Sequence, residues 1–163
     1  MDGSLKEIVW KQFGASIDML ENAMKECPDE LWDNELKFWY NAYHTLFYLD
    51  YYLTLDPEIF LPPSPFTLSE FDPAVILPER VYSKEELLNY LQLSRIKCHI
   101  LIAGLTNELA SKRWINAYRD YSIVEMLIYN MRHVQHHAAQ LNLLLRQGIN
   151  KAPAWISQTK INL

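Results

Sequence analysis

The chain has little glycine and little cysteine. It holds four glycines among 163 residues, few for a β-rich or loop-rich fold. Its two cysteines, Cys27 and Cys98, are far apart and in no metal-binding or redox spacing. We therefore expect reduced thiols, as in a cytoplasmic protein.

The chain also lacks an excess of positive charge and long apolar runs. The net charge is −5, whereas nucleic-acid-binding domains are typically basic, so no nucleic-acid partner is expected. No apolar run approaches the roughly 20 residues of a membrane span. The N-terminal residues lack the basic start and apolar run of a signal peptide. These absences predict a cytoplasmic protein with no membrane partner.

Apolar and aromatic residues are abundant. Half of the residues are apolar and 13% are aromatic, which is typical of an ordered core. A chain of this length can bury such a core without disulfides or structural metals. We expect residues 1–163 to form a single domain.

The first half of the chain contains two segments with helical periodicity. In residues 5–27, apolar side chains recur at three- and four-residue steps, which predicts an amphipathic helix that Pro28 ends. A tight turn follows, and the second helix is predicted to begin at Asp33 or Asn34 as N-cap and to run to about Leu55. This second helix is unusually rich in aromatic residues.

Two capping-box patterns open the predicted helices of the second half. Ser83 with Glu86 begins the third helix, which is expected to end near residue 110. Ser122 with Glu125 begins the fourth, and Gly148 is predicted to end it as a C-cap. Residues 111–121 are interpreted as a connector, and the tail from residue 150 is expected to fold back over the helices.

Residues 56–80 separate the second helix from the third. Six of the chain's eight prolines fall here, a density that neither a helix nor a central strand tolerates: Pro57, Pro62, Pro63, Pro65, Pro73 and Pro78. The segment is too apolar for a free linker, and we interpret it as an ordered crossover. The predicted fold class is all-α, a four-helix bundle with one long proline-rich crossover between helices 2 and 3.

The most informative cluster of polar residues lies in the fourth helix. His133 and His137 are four residues apart, so their imidazoles lie on one helix face and can reach the same metal ion. His136 points away from the line between them, and Gln140 returns to their face one turn later. Two imidazoles make half a metal site, so a third ligand from elsewhere is needed.

His44 is the best candidate for that third ligand. It lies about 10 residues into the second helix and His133 about 11 into the fourth, so both are roughly 15–17 Å along their helices. They come level whether the helices run parallel or antiparallel, and helix axes ~8–10 Å apart let the imidazoles meet. Three neutral imidazoles suit zinc or nickel with an open coordination position. Helical angles place Tyr40, Asn41, Tyr48 and Tyr51 on or near the face of His44.

Simpler interpretations of these residues stay open. A histidine on an apolar helix face is more often a packing residue than a ligand, and the His133–His137 spacing also arises by chance. The aromatic face of the second helix fits a core as well as a pocket, and Gln140 fits either a contact to an imidazole or an ordinary polar contact. Two sharper motifs are absent: Val134 stands where a zincin motif needs Glu, and no Glu precedes a histidine by three residues.

These motifs together resemble the DinB-like (DinB/YfiT) superfamily of metal-dependent proteins. The resemblance covers essentially the whole chain, and its most specific part is the histidine triad. The matching positions are His44, His133 and His137 with the His136-His137 doublet, Gln140, Leu143-Leu144-Leu145-Arg146, Gly148, and the stretch Cys27-Pro28-Asp29-Glu30-Leu31-Trp32.

The resemblance implies a four-helix bundle, often dimeric, with nickel or zinc held by three histidines. Here those would be His44, His133 and His137. Characterised relatives are thiol-S-transferases and thiol-dependent isomerases that use a low-molecular-weight thiol, so we expect a homodimer acting on an electrophilic small molecule. The alternatives are a metal-dependent hydrolase and a non-catalytic stress-response or binding protein of the same fold.

Overall fold

A computed structural model describes residues 2–74 and 77–163, so Val75 and Ile76 of the predicted crossover lie outside the described residues. The described chain is all-α apart from one two-stranded sheet. No helix among these residues is both long and apolar enough to cross a bilayer. The elements are α1 (Gly3–Glu26), α2 (Asp29–Trp32), α3 (Phe38–Tyr52), α4 (Lys84–Ala103), α5 (Asn107–Ser111), β1 (Arg113–Ile115), β2 (Asp120–Ser122) and α6 (Ile123–Ile149).

The four long helices α1, α3, α4 and α6 pack side by side around one aromatic-rich core. α3 and α6 are antiparallel, because Asn41 bonds to His137 whereas Leu49, two turns later, bonds to Asn130. His44 is therefore carried by a helix that runs opposite to the helix that carries His133 and His137.

α3 and α4 are parallel neighbours. Asp50 accepts a hydrogen bond from the Tyr90 hydroxyl, and Thr54, just beyond the end of α3, accepts one from Lys97, two turns further along α4. A tight turn joins only antiparallel helices, so this pair needs a connection that returns along the whole helix length. The crossover between α3 and α4 provides that return, with short 3-10 turns at Pro57–Ile59 and Ser69–Phe71.

The start of α3 differs from the prediction. The helix begins at Phe38 after Lys37, whose φ is 49°, and the predicted tight turn contains the short helix α2. Asp33 accepts the indole N–H of Trp39, and the Asn34 side chain accepts the N–H of Leu36. Their predicted N-cap role was wrong, because Asp33 bonds to a side-chain donor on α3 and Asn34 to a backbone donor within the turn instead.

The predicted N-caps of the later helices are confirmed. Ser83 and Glu86 form a reciprocal capping box at α4, and Ser122 accepts the N–H of Glu125 at α6. The predicted end of the third helix near residue 110 was wrong. α4 ends at Ala103, and Thr106 caps a separate short helix, α5.

Gly148 is not the C-cap of α6. The helix continues to Ile149, and Asn150, with a φ of 53°, ends it in the left-handed conformation. Gly148 instead allows close packing, because a Cβ atom there would come within 2.5 Å of Leu31 Cδ1. The glycine therefore contributes to packing against the Leu31 side chain rather than to backbone geometry.

Two segments outside the long helices cover the core. Residues 111–121, interpreted as a connector, contain an antiparallel hairpin formed by β1 and β2. Its buried Trp114 donates an indole N–H to the Thr54 carbonyl at the end of α3. The tail folds back over the helices as expected, since the Trp10 indole bonds to Ile161 and the Thr159 amide bonds to Lys11.

Candidate metal centre

His44, His133 and His137 meet between the antiparallel helices α3 and α6. Their ring centroids are 4.5 Å apart for His133–His137, 4.8 Å for His44–His137 and 5.6 Å for His44–His133. One ligand nitrogen from each residue lies within 4.8 Å of the other two. The structure thus brings together the three residues that helical spacing selected.

Two of the three imidazoles are oriented through their Nδ1 atoms. His44 Nδ1 lies 2.6 Å from the Glu70 carboxylate, and His137 Nδ1 lies 3.0 Å from Asn41 Oδ1. Both partners are acceptors, so each Nδ1 donates and the Nε2 lone pair is left available. A carboxylate or carbonyl bonded to the far nitrogen is the usual support for a metal-binding histidine.

His133 is supported differently. Its Nδ1 is buried and has no hydrogen-bond partner among the described residues. An orphaned buried polar atom requires an explanation in a folded protein. Coordination of a metal ion by the His133 ring would explain the missing partner, and the two neighbouring imidazoles can supply further ligands to the same ion.

The protonation of the cluster also fits a metal. Burial, followed by the neighbouring imidazoles, lowers the pKa of His133 to about 3. Burial, followed by His44, lowers the pKa of His137 to about 4, and a hydrogen-bonding interaction with Gln140 partly opposes this effect. Both imidazoles are therefore neutral at pH 7, the form that binds metal ions.

The spacing of the nitrogens suits a small ion after minor adjustment. Metal–nitrogen bonds of about 2.0–2.1 Å in a tetrahedral site place the ligand nitrogens roughly 3.3 Å apart. Small ring rotations would close the present separations to that value. With three protein ligands, a fourth position is left for water or a substrate.

The predicted supporting residues are divided between the cluster and its surroundings. The Tyr48 ring lies 4.8 Å from the His44 ring, and its hydroxyl donates to the Glu70 carbonyl. Burial and the nearby Glu70 carboxylate raise the pKa of Tyr40 to about 12. Both tyrosines therefore surround the His44–Glu70 pair as neutral phenols.

Other predicted residues lie further from the cluster. Tyr51 is buried against Phe71 and Trp114 and does not touch the histidine rings. His136 is exposed, with its ring 5.1 Å from that of His137, and it is not part of the ligand triad. The outward direction expected for His136 agrees with this position.

Two depressions flank the cluster. One, of about 540 Å³, lies on the outer side of α6 and includes Arg132, His133 and His136. The other, of about 420 Å³, lies between the crossover and the hairpin, and we call it the hairpin cleft. The hairpin cleft is lined by Tyr48, Tyr51, Glu70, Phe71, Asp72, Pro73, Asn116, Ala117, Tyr118 and Arg119.

Sequence reasoning missed Glu70 and Arg119. Glu70 lies in the crossover and Arg119 in the hairpin turn, outside the periodic segments in which helical spacing locates a side chain. The Glu70 side chain is only 4% exposed, so its carboxylate needs the imidazole partner that it has. The sequence does not distinguish Glu70 from Asp72, a second acidic residue in the same stretch of the crossover.

The two cysteines offer no reactive thiol. Cys27 and Cys98 are both buried and unpaired. Burial raises the pKa of Cys27 to about 11 and raises that of Cys98 further. A thiol that reacts in this protein must therefore come from outside the chain.

Comparisons with models of known families, with curated proteins and with solved structures found no match to this chain. The histidine cluster and the clefts beside it are therefore the features of this chain that bear on its function.

Proposed function

We propose that this chain is a DinB-like four-helix bundle that binds zinc or nickel through His44, His133 and His137. The proposed activity is that of a metal-dependent thiol-S-transferase, which joins a low-molecular-weight thiol to an electrophilic small molecule. The observation that carries the proposal is the set of three convergent imidazoles, two of which have their Nδ1 atoms held by acceptors.

The arrangement of the long helices supports the bundle assignment. α1, α3, α4 and α6 pack in adjacent pairs, and the one long connection joins the parallel pair α3 and α4. A bundle with a single long crossover has this connectivity, and metal sites in bundles are built from side chains on facing helices.

The surroundings of the cluster support chemistry on a bound small molecule. When bound, zinc or nickel with an open position lowers the pKa of a thiol or a water molecule that approaches it. Tyr48 provides an apolar ring between His44 and the hairpin cleft, where an electrophile can lie. Glu70 holds the His44 ring in one orientation, and the buried cysteines leave the nucleophile to an external thiol.

Metal content tests the proposal first. Protein purified without a polyhistidine tag and reloaded with zinc or nickel is expected to hold close to one ion per chain by elemental analysis. The triple variant His44→Ala, His133→Ala, His137→Ala is expected to hold less than a tenth of that. His136→Ala is the matched control, since it removes a neighbouring imidazole outside the triad, and it should keep the ion.

A second measurement separates the possible activities. The loaded protein is incubated with a chromogenic aryl halide and a monothiol, and in parallel with a chromogenic ester and no thiol. Thiol-dependent turnover that the triple variant lacks supports the transferase. Ester hydrolysis without thiol transfer would support the hydrolase alternative, and metal binding without either activity would support a binding protein. Absence of metal after reloading would contradict the metal site itself.

We also propose that the protein is a homodimer. Leu93, Ile96 and Ile100 lie along one face of α4 and are 55%, 55% and 65% exposed. The side chains of Ile59 and Leu61 on the crossover are 72% and 75% exposed. Exposed apolar residues grouped in this way are typical of a surface that another chain covers.

A further inference from the structure

Arg119 is a half-buried cation without a carboxylate partner among the described residues. Its Nη2 atom donates to the Tyr129 hydroxyl at 2.8 Å. Its guanidinium carbon lies 5.6 Å from the centre of the Tyr52 ring and 5.0 Å from that of Tyr129. The aromatic rings hold the guanidinium in place, and its other N–H donors have no partner among the residues that the structure describes.

The hairpin turn fixes the backbone of Arg119. Asn116 Oδ1 accepts the N–H groups of both Tyr118 and Arg119, which closes the turn. The Asn116 Nδ2 atom donates to the Tyr51 hydroxyl and so ties the turn to α3. Arg119 is therefore held at the rim of the hairpin cleft by the tertiary structure rather than by a flexible loop.

The hairpin cleft brings this cation near residues that contact the histidine cluster. Tyr129 precedes His133 by one turn of α6, and the Tyr52 ring lies 5.9 Å from the His133 ring. The Tyr48 ring lies 5.8 Å from the same imidazole on the cleft side. A molecule bound in the cleft can thus contact Arg119 together with Tyr48 and Glu70, the two lining residues that touch His44.

The negative charges of the cleft do not neutralise Arg119. Glu70 is bonded to His44, and the Asp72 carboxylate accepts the N–H of Ala74. Neither carboxylate forms an ion pair with Arg119 in the described part of the chain. The cleft therefore presents an aromatic wall and one available cation.

We propose that the hairpin cleft binds an aromatic or other apolar carboxylate, with Arg119 holding the carboxylate group. A guanidinium offers paired N–H donors that match both oxygens of a carboxylate, and such charge-assisted bonds are stronger than neutral ones. Tyr48, Tyr51 and Phe71 line the space that the apolar part would fill. That this ligand is the electrophile of the thiol transfer rests on the proposed function, whereas binding of the carboxylate does not.

The test compares an acid with its neutral analogue. Binding of 4-fluorobenzoate and of 4-fluorobenzyl alcohol is measured by fluorine NMR titration on the full chain, kept metal-free with a chelator. The acid is expected to bind at least about tenfold more tightly than the alcohol. Arg119→Gln should abolish this preference and leave the affinity for the alcohol unchanged, which shows that the cleft itself is intact.

Two further variants make the assignment specific. Arg119→Lys keeps the charge and should retain part of the preference for the acid. Arg132→Gln removes an arginine from the depression on the other side of His133 and should keep the whole preference. Equal binding of acid and alcohol, no measurable binding of the acid, or loss of the preference in Arg132→Gln would each overturn the proposal.

The metal-free design keeps this proposal separate from the proposed function. A chain that prefers the acid but fails to take up metal would disprove the metal site and leave the carboxylate site standing. A chain that takes up metal but shows no preference for the acid would disprove the role of Arg119 alone.

Discussion

Glu70 connects the crossover to the histidine cluster through a single short hydrogen bond to His44 Nδ1. The carboxylate fixes the tautomer of this imidazole and makes its Nε2 atom a better ligand. Asn41 orients His137 in the same way, but with a neutral carbonyl that contributes less charge. We therefore expect the Glu70 carboxylate to raise the affinity of the histidine cluster for a metal ion, although Glu70 is distant from the histidines in sequence.

Glu70→Gln tests this role. The amide keeps the size of the side chain but removes its charge, so zinc affinity is expected to fall about 10- to 100-fold while the fold is unchanged. Competition with a chromophoric chelator measures the dissociation constant. Asp72→Asn is the matched control, because it neutralises an exposed carboxylate two residues away and should leave affinity within about twofold. Equal effects of both substitutions would point to a general charge effect instead.

The lowered pKa values of His133 and His137 predict the pH dependence of the metal-free protein. An unfolded histidine has a pKa of about 6.5, whereas these two have values of about 3 and about 4 in the fold. Between about pH 3 and pH 6.5 the unfolded chain binds more protons than the folded chain. The stability that depends on these two histidines is therefore complete above pH 6.5 and is lost progressively as the pH falls towards 3. The expected loss from pH 7 to pH 5 is roughly 2 kcal/mol for each histidine, or about 4 kcal/mol for the pair.

Urea unfolding at a series of pH values measures this effect. The double variant His133→Gln, His137→Gln lacks both titrating groups and should lose clearly less stability between pH 7 and pH 5. Other groups titrate in both proteins, so the difference between the two curves is the relevant quantity. Parallel curves would show that the two imidazoles are not desolvated as described.

At the level of elements, the tail depends on a close approach to α1. A Cβ atom on Gly14 would lie 2.5 Å from Thr159 Cγ2 and 2.9 Å from Thr159 Cβ. The Thr159 amide also bonds to the Lys11 carbonyl, so the threonine cannot move without its backbone. The absence of a side chain at Gly14 therefore allows the tail to pack closely against α1.

Gly14→Ala should weaken the packing of the tail against α1. Alanine adds up to about 1 kcal/mol of helix propensity, but the overlap with the stiff Thr159 side chain costs about 1–3 kcal/mol. We expect a net loss of about 1 kcal/mol in the free energy of unfolding and faster hydrogen exchange at the Thr159 amide. Gly3→Ala is the control, because no atom lies within 4 Å of its added Cβ. A Gly14→Ala protein as stable as Gly3→Ala, with a protected tail, would contradict this account.

The elements also show which sequence signals were dependable. Ser83 and Ser122 cap α4 and α6 as predicted, because the bonds involved lie within four residues. Asn34 and Gly148 carried similar local signals but serve other roles, Asn34 in a turn and Gly148 in packing against Leu31. A local signal predicts a helix end only when no tertiary contact requires the same residue.

At the scale of the whole molecule, the exposed apolar face of α4 is the basis for the proposed homodimer. A second copy covering Leu93, Ile96 and Ile100 would remove from water three large apolar side chains that no described part of the chain covers. Light scattering coupled to size exclusion should give about twice the mass of one chain. Ile96→Glu with Ile100→Glu places charges in that face and should give monomers that still bind one metal ion per chain.

Gln147→Glu is a suitable control for this experiment. It adds one negative charge at an exposed position of another helix, α6, and should stay dimeric. A wild-type chain that is monomeric at all accessible concentrations would disprove the homodimer. Dissociation by the control as well would indicate charge repulsion rather than loss of an apolar contact.

The amino-acid sequence by itself determined the helical class, the approximate positions of the long helices, the caps at Ser83 and Ser122, and the pairing of His133 with His137. Each of these follows from side-chain periodicity or from hydrogen bonds between near neighbours in the chain. Mid-helix positions were sufficient to bring His44 level with that pair, because the argument held for either helix direction.

Only the tertiary structure decided the directions of α3 and α4, the hairpin, and the placement of Glu70 and Arg119 beside the histidines. Glu70 lies 26 residues from His44 in sequence, in a segment without periodicity, so no spacing rule connects the two. Arg119 reaches Tyr52 through a turn whose position depends on Trp114 and Asn116 bonding to α3. Contacts between distant segments follow from packing of the whole core, and short-range patterns carry no information about them.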